Sequence, residues 1–173
     1  MKSLAMMACV AAGLVALAAA PAATLAAEES TGESAQASAA KAAMRAGSEK
    51  WVADYNAGNV EQVLAVYAPD AVVMPPDAPL ARGLAQIRRF LEGDIASSKA
   101  EGLKFVVSED ASGVAGNTGW NSGTFKVVDA GGATAGTGKF VEVWRNDGGK
   151  WFMIRDIWNS DAAAPAPAPA AAK

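Results

Sequence analysis

Apolar positions along this chain recur with two periods, and the change between them falls at Gly102. Before it the spacing is three and four residues, the mark of helices; after it, apolar and polar residues tend to alternate, the mark of strands. Ala40, Met44, Trp51 and Tyr55 fall near one helical face, with the small residues Gly47 and Ser48 between them. Gly58 closes that helix as a left-handed cap. Asn59 opens a second helix, with Gln62 where a capping box needs it. Its apolar stripe is Val60, Val63, Leu64 and Tyr67, and Pro69 stops it. Residues 71–74 form a short strand that ends at Pro75 and Pro76. Gly83 opens a third helix with Leu84, Ile87, Leu91 and Ile95 on its buried face. Residues 103–108, 117–128, 134–145 and 150–159 read as four strands. Asp129-Ala-Gly-Gly132 and Asn146-Asp-Gly-Gly149 read as hairpin turns, because glycine supplies positive φ. Three helices followed by a meander predict an α+β domain, its helices packed on one side of a curved antiparallel sheet.

The two ends of the chain do not share this pattern. Lys2 precedes an apolar run over residues 4–20 and alanine-rich sequence up to Ala27, which reads as a secretory signal peptide over residues 1–27. Cleavage is expected after Ala26 or Ala27; a lasting membrane anchor is the rival reading. Residues 28–37 are then a flexible leader, residues 38–161 the folded domain and residues 162–173 an extended Ala/Pro tail. No internal repeat is visible. The mature chain is expected to be periplasmic or secreted, with no membrane span.

Cleavage removes one of 15 basic residues and none of 18 acidic ones, moving the net charge from −3 to −4. It also removes Cys9, the sole cysteine, which excludes an intramolecular disulfide. Mild acidity without basic clusters argues against nucleic acid as a partner. Histidine is absent. That excludes Ser-His-Asp and Cys-His catalysis and, after cleavage, zinc sites built on His and Cys. Acid–base work falls to Asp, Glu, Lys or Tyr, and no cofactor is implied.

The order of helix, glycine break, helix, Tyr67-Ala-Pro-Asp-Ala71, Pro76, Arg82-Gly83, helix and four strands, with Gly138-Lys-Phe140 and Asp156-Ile-Trp-Asn-Ser160 near the close, is specific. It resembles the ketosteroid-isomerase-like and SnoaL-like members of the nuclear-transport-factor-2-like superfamily, over roughly residues 41–161. The resemblance implies a cone-shaped α+β fold, an apolar cavity between helices and sheet, and a homodimer formed through the outer face of the sheet. It does not imply the isomerase reaction. The catalytic aspartate of those enzymes falls here at Pro75, and their oxyanion tyrosine falls near Trp51. Their second oxyanion donor, a protonated aspartate, falls near Val141 or Glu142. Dehydratases of the scytalone type rely on histidine and are excluded. Trp158 matches a pocket-lining tryptophan of the isomerases.

Strand alternation places Phe152, Ile154, Asp156 and Trp158 on one face, and Phe140, Glu142 and Trp144 on one face of the neighbouring strand. Asp156 is the first acid–base candidate; the competing role is an ion pair with Arg145 or Arg155. Glu142 is the second, either as its partner or as an exposed strand residue. Two carboxylates are too few to claim Ca²⁺ or Mg²⁺. Trp51, Tyr55, Trp120, Trp144 and Trp158 form either ordinary core or a wall for a planar or steroid-like ligand, with Met74, Ile154 and Asn159 completing the expected contacts. The function expected is binding of a small apolar or aromatic molecule, with isomerase-, lyase- or cyclase-type acid–base activity at Asp156. The alternative is a non-catalytic association module whose cone is filled by its own side chains.

Overall fold

The computed structural model describes residues 22–162. Most of the expected signal peptide and nearly all of the expected tail lie outside the described residues. Helix α1 (Ala22–Ala57) runs through residues 28–37 and ends at Gly58, whose φ is 83°. There the Asn59 N–H reaches back to the Asp54 carbonyl and the Gly58 N–H to that of Tyr55, both at 2.9 Å, the two reciprocal bonds of a Schellman cap. Helix α2 (Val60–Leu64) is a single short turn. Its expected capping box is not made: the Asn59 amide donates to Asp54 Oδ1, and Gln62 accepts from Lys50.

Tyr67 belongs to a strand rather than to the stripe of α2. Strand β1 spans Tyr67–Met74 and contains Pro69, which the sequence reading had placed at a helix end. The proline is tolerated because the ladder to the neighbouring strand is irregular between Tyr67 and Val72. A short β2 (Ala81–Arg82) leads into α3 (Gly83–Ala100), which buries Ile87, Leu91 and Ile95 as its periodicity requires. The meander follows as β3 (Lys104–Ala115), β4 (Thr118–Val128), β5 (Thr134–Asp147) and β6 (Lys150–Ser160).

These strands form one six-stranded sheet in the order β2-β1-β6-β5-β4-β3. The meander pairs are antiparallel, but β1 joins β6 in parallel, so the first strand of the chain lies beside the last. Helices α1 and α3 pack against the sheet over a core that includes Met44, Val63, Ile87, Leu91, Trp144 and Met153. Asn56 acts as a surrogate strand partner for β3: its Nδ2 donates to the Phe105 carbonyl and its Oδ1 accepts from the Phe105 N–H, each at 2.8 Å.

Strand β3 is about twice as long as its alternation predicts. It crosses a bulge between Glu109 and Ala111, opposite Gly123 and Ser122 of β4. A Cβ at Gly123 would stand 2.1 Å from the Ser108 carbonyl oxygen and 3.0 Å from the Phe140 ring. Backbone cannot yield as a flexible side chain does, so Gly123→Ala is expected to cost about 1–3 kcal/mol or more. Thermal unfolding should show a fall of several degrees in Tm. In Gly136→Ala the new methyl group meets only Val127 Cβ, at 4.0 Å, and the transition should barely move.

Candidate functional site

The register of β5 against β6 determines which side chains enter the cone. Glu142 lies opposite Asp156 and Phe140 opposite Trp158, so two carboxylates and two aromatic rings face inward side by side. Val141 points outward and is 42 % exposed, which resolves the Val141 or Glu142 alternative in favour of Glu142. Toward the β5–β6 turn the pattern shifts. Val143 pairs with Arg155 but Trp144 pairs with Met153, leaving Ile154 as an extra residue. Met153 therefore fills the core, and Phe152 and Ile154 do not share the face of Asp156, contrary to simple alternation.

Between α1, α3 and the concave sheet lies a cavity of about 80 Å³. Its aromatic walls are Trp51, Phe90, Phe105, Phe125, Phe140 and Trp158, and its polar groups are Tyr67, Asp94, Glu142 and Asp156. Trp51 and Trp158, expected from the sequence, do line it. Tyr55 stacks on Trp51 at 5.0 Å and donates its hydroxyl to Asp94 at 2.6 Å, beside Ser98 at 2.8 Å. Burial raises the Tyr55 pKa, and the hydroxyl serves the packing of α1 on α3 rather than a ligand. Trp144 is fully buried core, and Trp120 is on the outer face, 43 % exposed. Met74 sits at the end of β1 beside Ile157, and Asn159 is exposed, donating to the Ser160 carbonyl. Neither lines the cavity.

Each carboxylate is held by neutral donors. Asp156 Oδ2 accepts from the Tyr67 hydroxyl at 2.6 Å, and Tyr67 Oη accepts from Trp51 Nε1 at 2.8 Å. Glu142 Oε2 accepts from Ser48 Oγ at 2.5 Å and from Trp144 Nε1 at 3.2 Å. Asn121 ties these two donors together, its Oδ1 accepting from Trp144 Nε1 at 2.7 Å and its Nδ2 donating to Ser48 Oγ at 3.0 Å. Glu142 Oε1 and Asp156 Oδ1 have no such donor; both residues line the cavity, and no fully buried side-chain oxygen or nitrogen among the described residues lacks a partner. One oxygen of each carboxylate thus accepts no hydrogen bond from a protein donor.

Among the described residues no cation compensates this pair. Arg145 grips Asp70 at 3.0 and 3.1 Å and also bonds Asp147, while Arg155 donates to its neighbour's carbonyl. The ion pair considered for Asp156 is therefore not formed. Burial pushes the pKa of Asp156 up, moderated by the Tyr67 hydroxyl. Burial also pushes Glu142 up, and the charge of Asp156 pushes it further against the donors Ser48, Asn121 and Trp144. Two like charges this close in an apolar interior do not both ionise, so the pair retains one proton between them. Tyr67 is held far above its usual range, by burial first and then by Asp156, and remains a donor. Among the described residues, no three His, Cys, Asp or Glu side chains gather as metal ligands.

Tyr67, Ser48 and Asn121 are the participants that the sequence reading missed. For Tyr67 a signal existed: Ala68 precedes Pro69, and a residue before proline is biased to extended backbone. Asn121 also stood out as a polar side chain in phase with Gly119, Gly123 and Phe125 on the inward positions of β4.

Because Glu142 and Asp156 bind protons more tightly when folded, the native state is favoured at low pH. That advantage is lost as pH rises from the ordinary glutamate value of 4.5 through the raised native values. Glu142→Gln keeps an acceptor for Ser48 and Trp144 without the charge. It is expected to raise the midpoint of chemical denaturation above wild type at pH 8 and to lose that lead at pH 4. A constant difference across that range would show that Glu142 does not carry the proton.

The family model of the SnoaL-like domain matches residues 48–154. No curated protein matches the chain. Among solved structures, an NTF2-like protein with a cystatin-like fold from Novosphingobium aromaticivorans is 17% identical with a TM-score of 0.66, covering 83% of this chain and 92% of that one. A ketosteroid isomerase-like protein from Erwinia carotovora atroseptica is 16% identical with a TM-score of 0.58, covering 70% and 96%. A putative calcium/calmodulin dependent protein kinase II association domain from Xanthomonas campestris is 21% identical with a TM-score of 0.53, covering 65% and 81%. At such identities the structures speak for the fold alone, whereas the sequence match spans most of the helices and sheet: the chain belongs to the SnoaL-like domain family, with the cone-shaped nuclear-transport-factor-2-like fold.

Proposed function

We propose that the protein binds a small, largely apolar molecule in its cone and presents it to one mobile proton held between Glu142 and Asp156. The observation that carries this reading is the pairing of two buried carboxylates across β5 and β6, each with a free oxygen at an aromatic cavity. Asp156, ionised and steadied by Tyr67, serves as the base; Glu142, protonated, serves as the acid. Such a pair suits isomerase-, lyase- or cyclase-type chemistry, in which one proton leaves carbon or oxygen as another is delivered. The cavity, about 80 Å³, is well below the roughly 300–1,000 Å³ of sites for drug-sized ligands, which favours a compact occupant over a steroid.

The outer face of the sheet supports a homodimer. Val141 pairs directly with Ile157, and Trp120 and Val106 lie on the same outer face, each more than two-fifths exposed. Trp120, Val141 and Ile157 lie on three successive strands, and exposed apolar side chains clustered in this way support an interaction surface. The apolar run over residues 4–20 supports export, with the mature chain starting near Glu28.

Native mass spectrometry of the chain, purified gently from its own compartment, should show a dimer carrying extra mass. A ligand-free chain that instead recruits larger assemblies would favour the association module. In Asp156→Asn, turnover of any substrate so identified should fall by at least 100-fold with the circular dichroism spectrum unchanged; full activity would remove Asp156 from the chemistry. Val141→Lys places a charge in the centre of the outer patch and is expected to give a monomer by light scattering.

A further inference from the structure

The charge balance of the cavity identifies the class of ligand more narrowly. Three carboxylates reach it, Asp94 from α3, Glu142 from β5 and Asp156 from β6, and no lysine or arginine does. The other elements around it supply neutral groups: Trp51 from α1, Tyr67 from β1, Phe105 from β3 and Phe125 from β4. Asp94 is already engaged by the Tyr55 hydroxyl at 2.6 Å, which leaves the free oxygens of Glu142 and Asp156 as the polar target. Both residues are more than nine-tenths buried.

We infer that the cone is built to take a small organic ammonium ion, its N–H groups bridging Glu142 and Asp156 and its apolar body held among the aromatic side chains. The inference rests on reading the cavity as a ligand site. A carboxylate pair in an apolar interior needs one compensating positive charge, which the retained proton supplies when the cavity is empty. A primary ammonium supplies the same charge with three donors, enough to satisfy both free oxygens. An aromatic lining of six side chains favours a cation over an anion further. An anionic ligand would meet like charge with no donor but the single proton, and a neutral carbonyl compound would leave one carboxylate oxygen unsatisfied. The ammonium thus replaces the proton on Glu142: one N–H···O contact forms, the O–H bond breaks, and H⁺ passes to solvent.

The test is calorimetric titration of the full chain with tert-butylammonium and cyclohexylammonium chloride against tert-butanol and cyclohexanol, which match them in shape. Each titration is run at pH 5, 7 and 8, in two buffers of different ionisation enthalpy. The ammonium ions should bind at least 10-fold more tightly than the alcohols at pH 7. Close to one proton should be released per ion bound, and affinity should rise with pH as Glu142 loses its proton. Glu142→Gln, its fold checked by circular dichroism, should abolish proton release and the rise of affinity with pH, and only the double variant Glu142→Gln/Asp156→Asn should bring the two affinities within about three-fold. Alcohols binding as tightly as the ammonium ions, or binding without proton release, would overturn the inference while leaving a ligand-binding cone. Binding of neither class, together with no added mass on the native chain, would overturn the ligand-site reading and this inference with it.

Discussion

Two carboxylates set side by side on neighbouring strands, both turned into an aromatic interior, form the constraint on which the rest of this molecule depends. Burying an unpaired charge costs several kcal/mol or more. Among the described residues no arginine or lysine offsets that cost; neutral donors and a retained proton do. The donors come from four elements, α1, β1, β4 and β5. Helix α1 must bring both Ser48 and Trp51 to the sheet, and β1 must lie beside β6 so that Tyr67 reaches Asp156. The close approach of α1 is visible at Gly47, where a Cβ would stand 2.6 Å from the Trp144 ring. Were the helix further out, Ser48 would lose Glu142. The parallel β1–β6 pairing and the glycine on α1 are thus parts of the site as much as of the fold.

Much of this was legible in the chain. The switch of period at Gly102, the cap at Gly58, the face of α3 and the two glycine-rich hairpins correspond to observed features. What was not legible has a common physical cause: local pattern was overridden by pairing partners distant in sequence. Glu109 to Ala115 is polar and irregular, and it becomes strand only because β4 offers a continuous ladder across a bulge. Tyr67 fits a helical stripe, yet its backbone is claimed by β6, more than 80 residues away. Ile154 is in phase with Asp156 on paper, and the extra residue between Val143 and Trp144 pairings takes it out of phase. A period of two carries no information about a bulge.

The same overrides separate fold from chemistry. The SnoaL-like sheet and helices are intact, yet Pro75, where the resemblance implies the catalytic aspartate of the isomerases, has no proton to exchange and does not line the cavity. Two buried carboxylates instead stand together on the β5–β6 wall, with Glu142 near the position where the resemblance implies a protonated carboxylic acid. One scaffold with a shape-giving cavity can move its polar groups from one wall to another, because the cone needs only that inward positions be filled and every buried polar atom be partnered.

The neighbouring register positions provide an internal comparison for the function of the pair. Val141 and Ile157 are directly opposed on the same two strands, one residue along and on the other face, so β5 and β6 accept an apolar pair without difficulty. If the cone served only as packing, an apolar pair at 142 and 156 would be the cheaper solution, since replacing buried ionisable pairs by well-packed hydrophobic residues is often neutral or stabilising. It would also dispense with the donors from Ser48, Asn121 and Tyr67, each of which must itself be buried and satisfied. The structure carries all five polar side chains, and both carboxylate residues line the cavity. Packing alone does not call for this set of buried polar groups, and its cost is concentrated at the cavity wall.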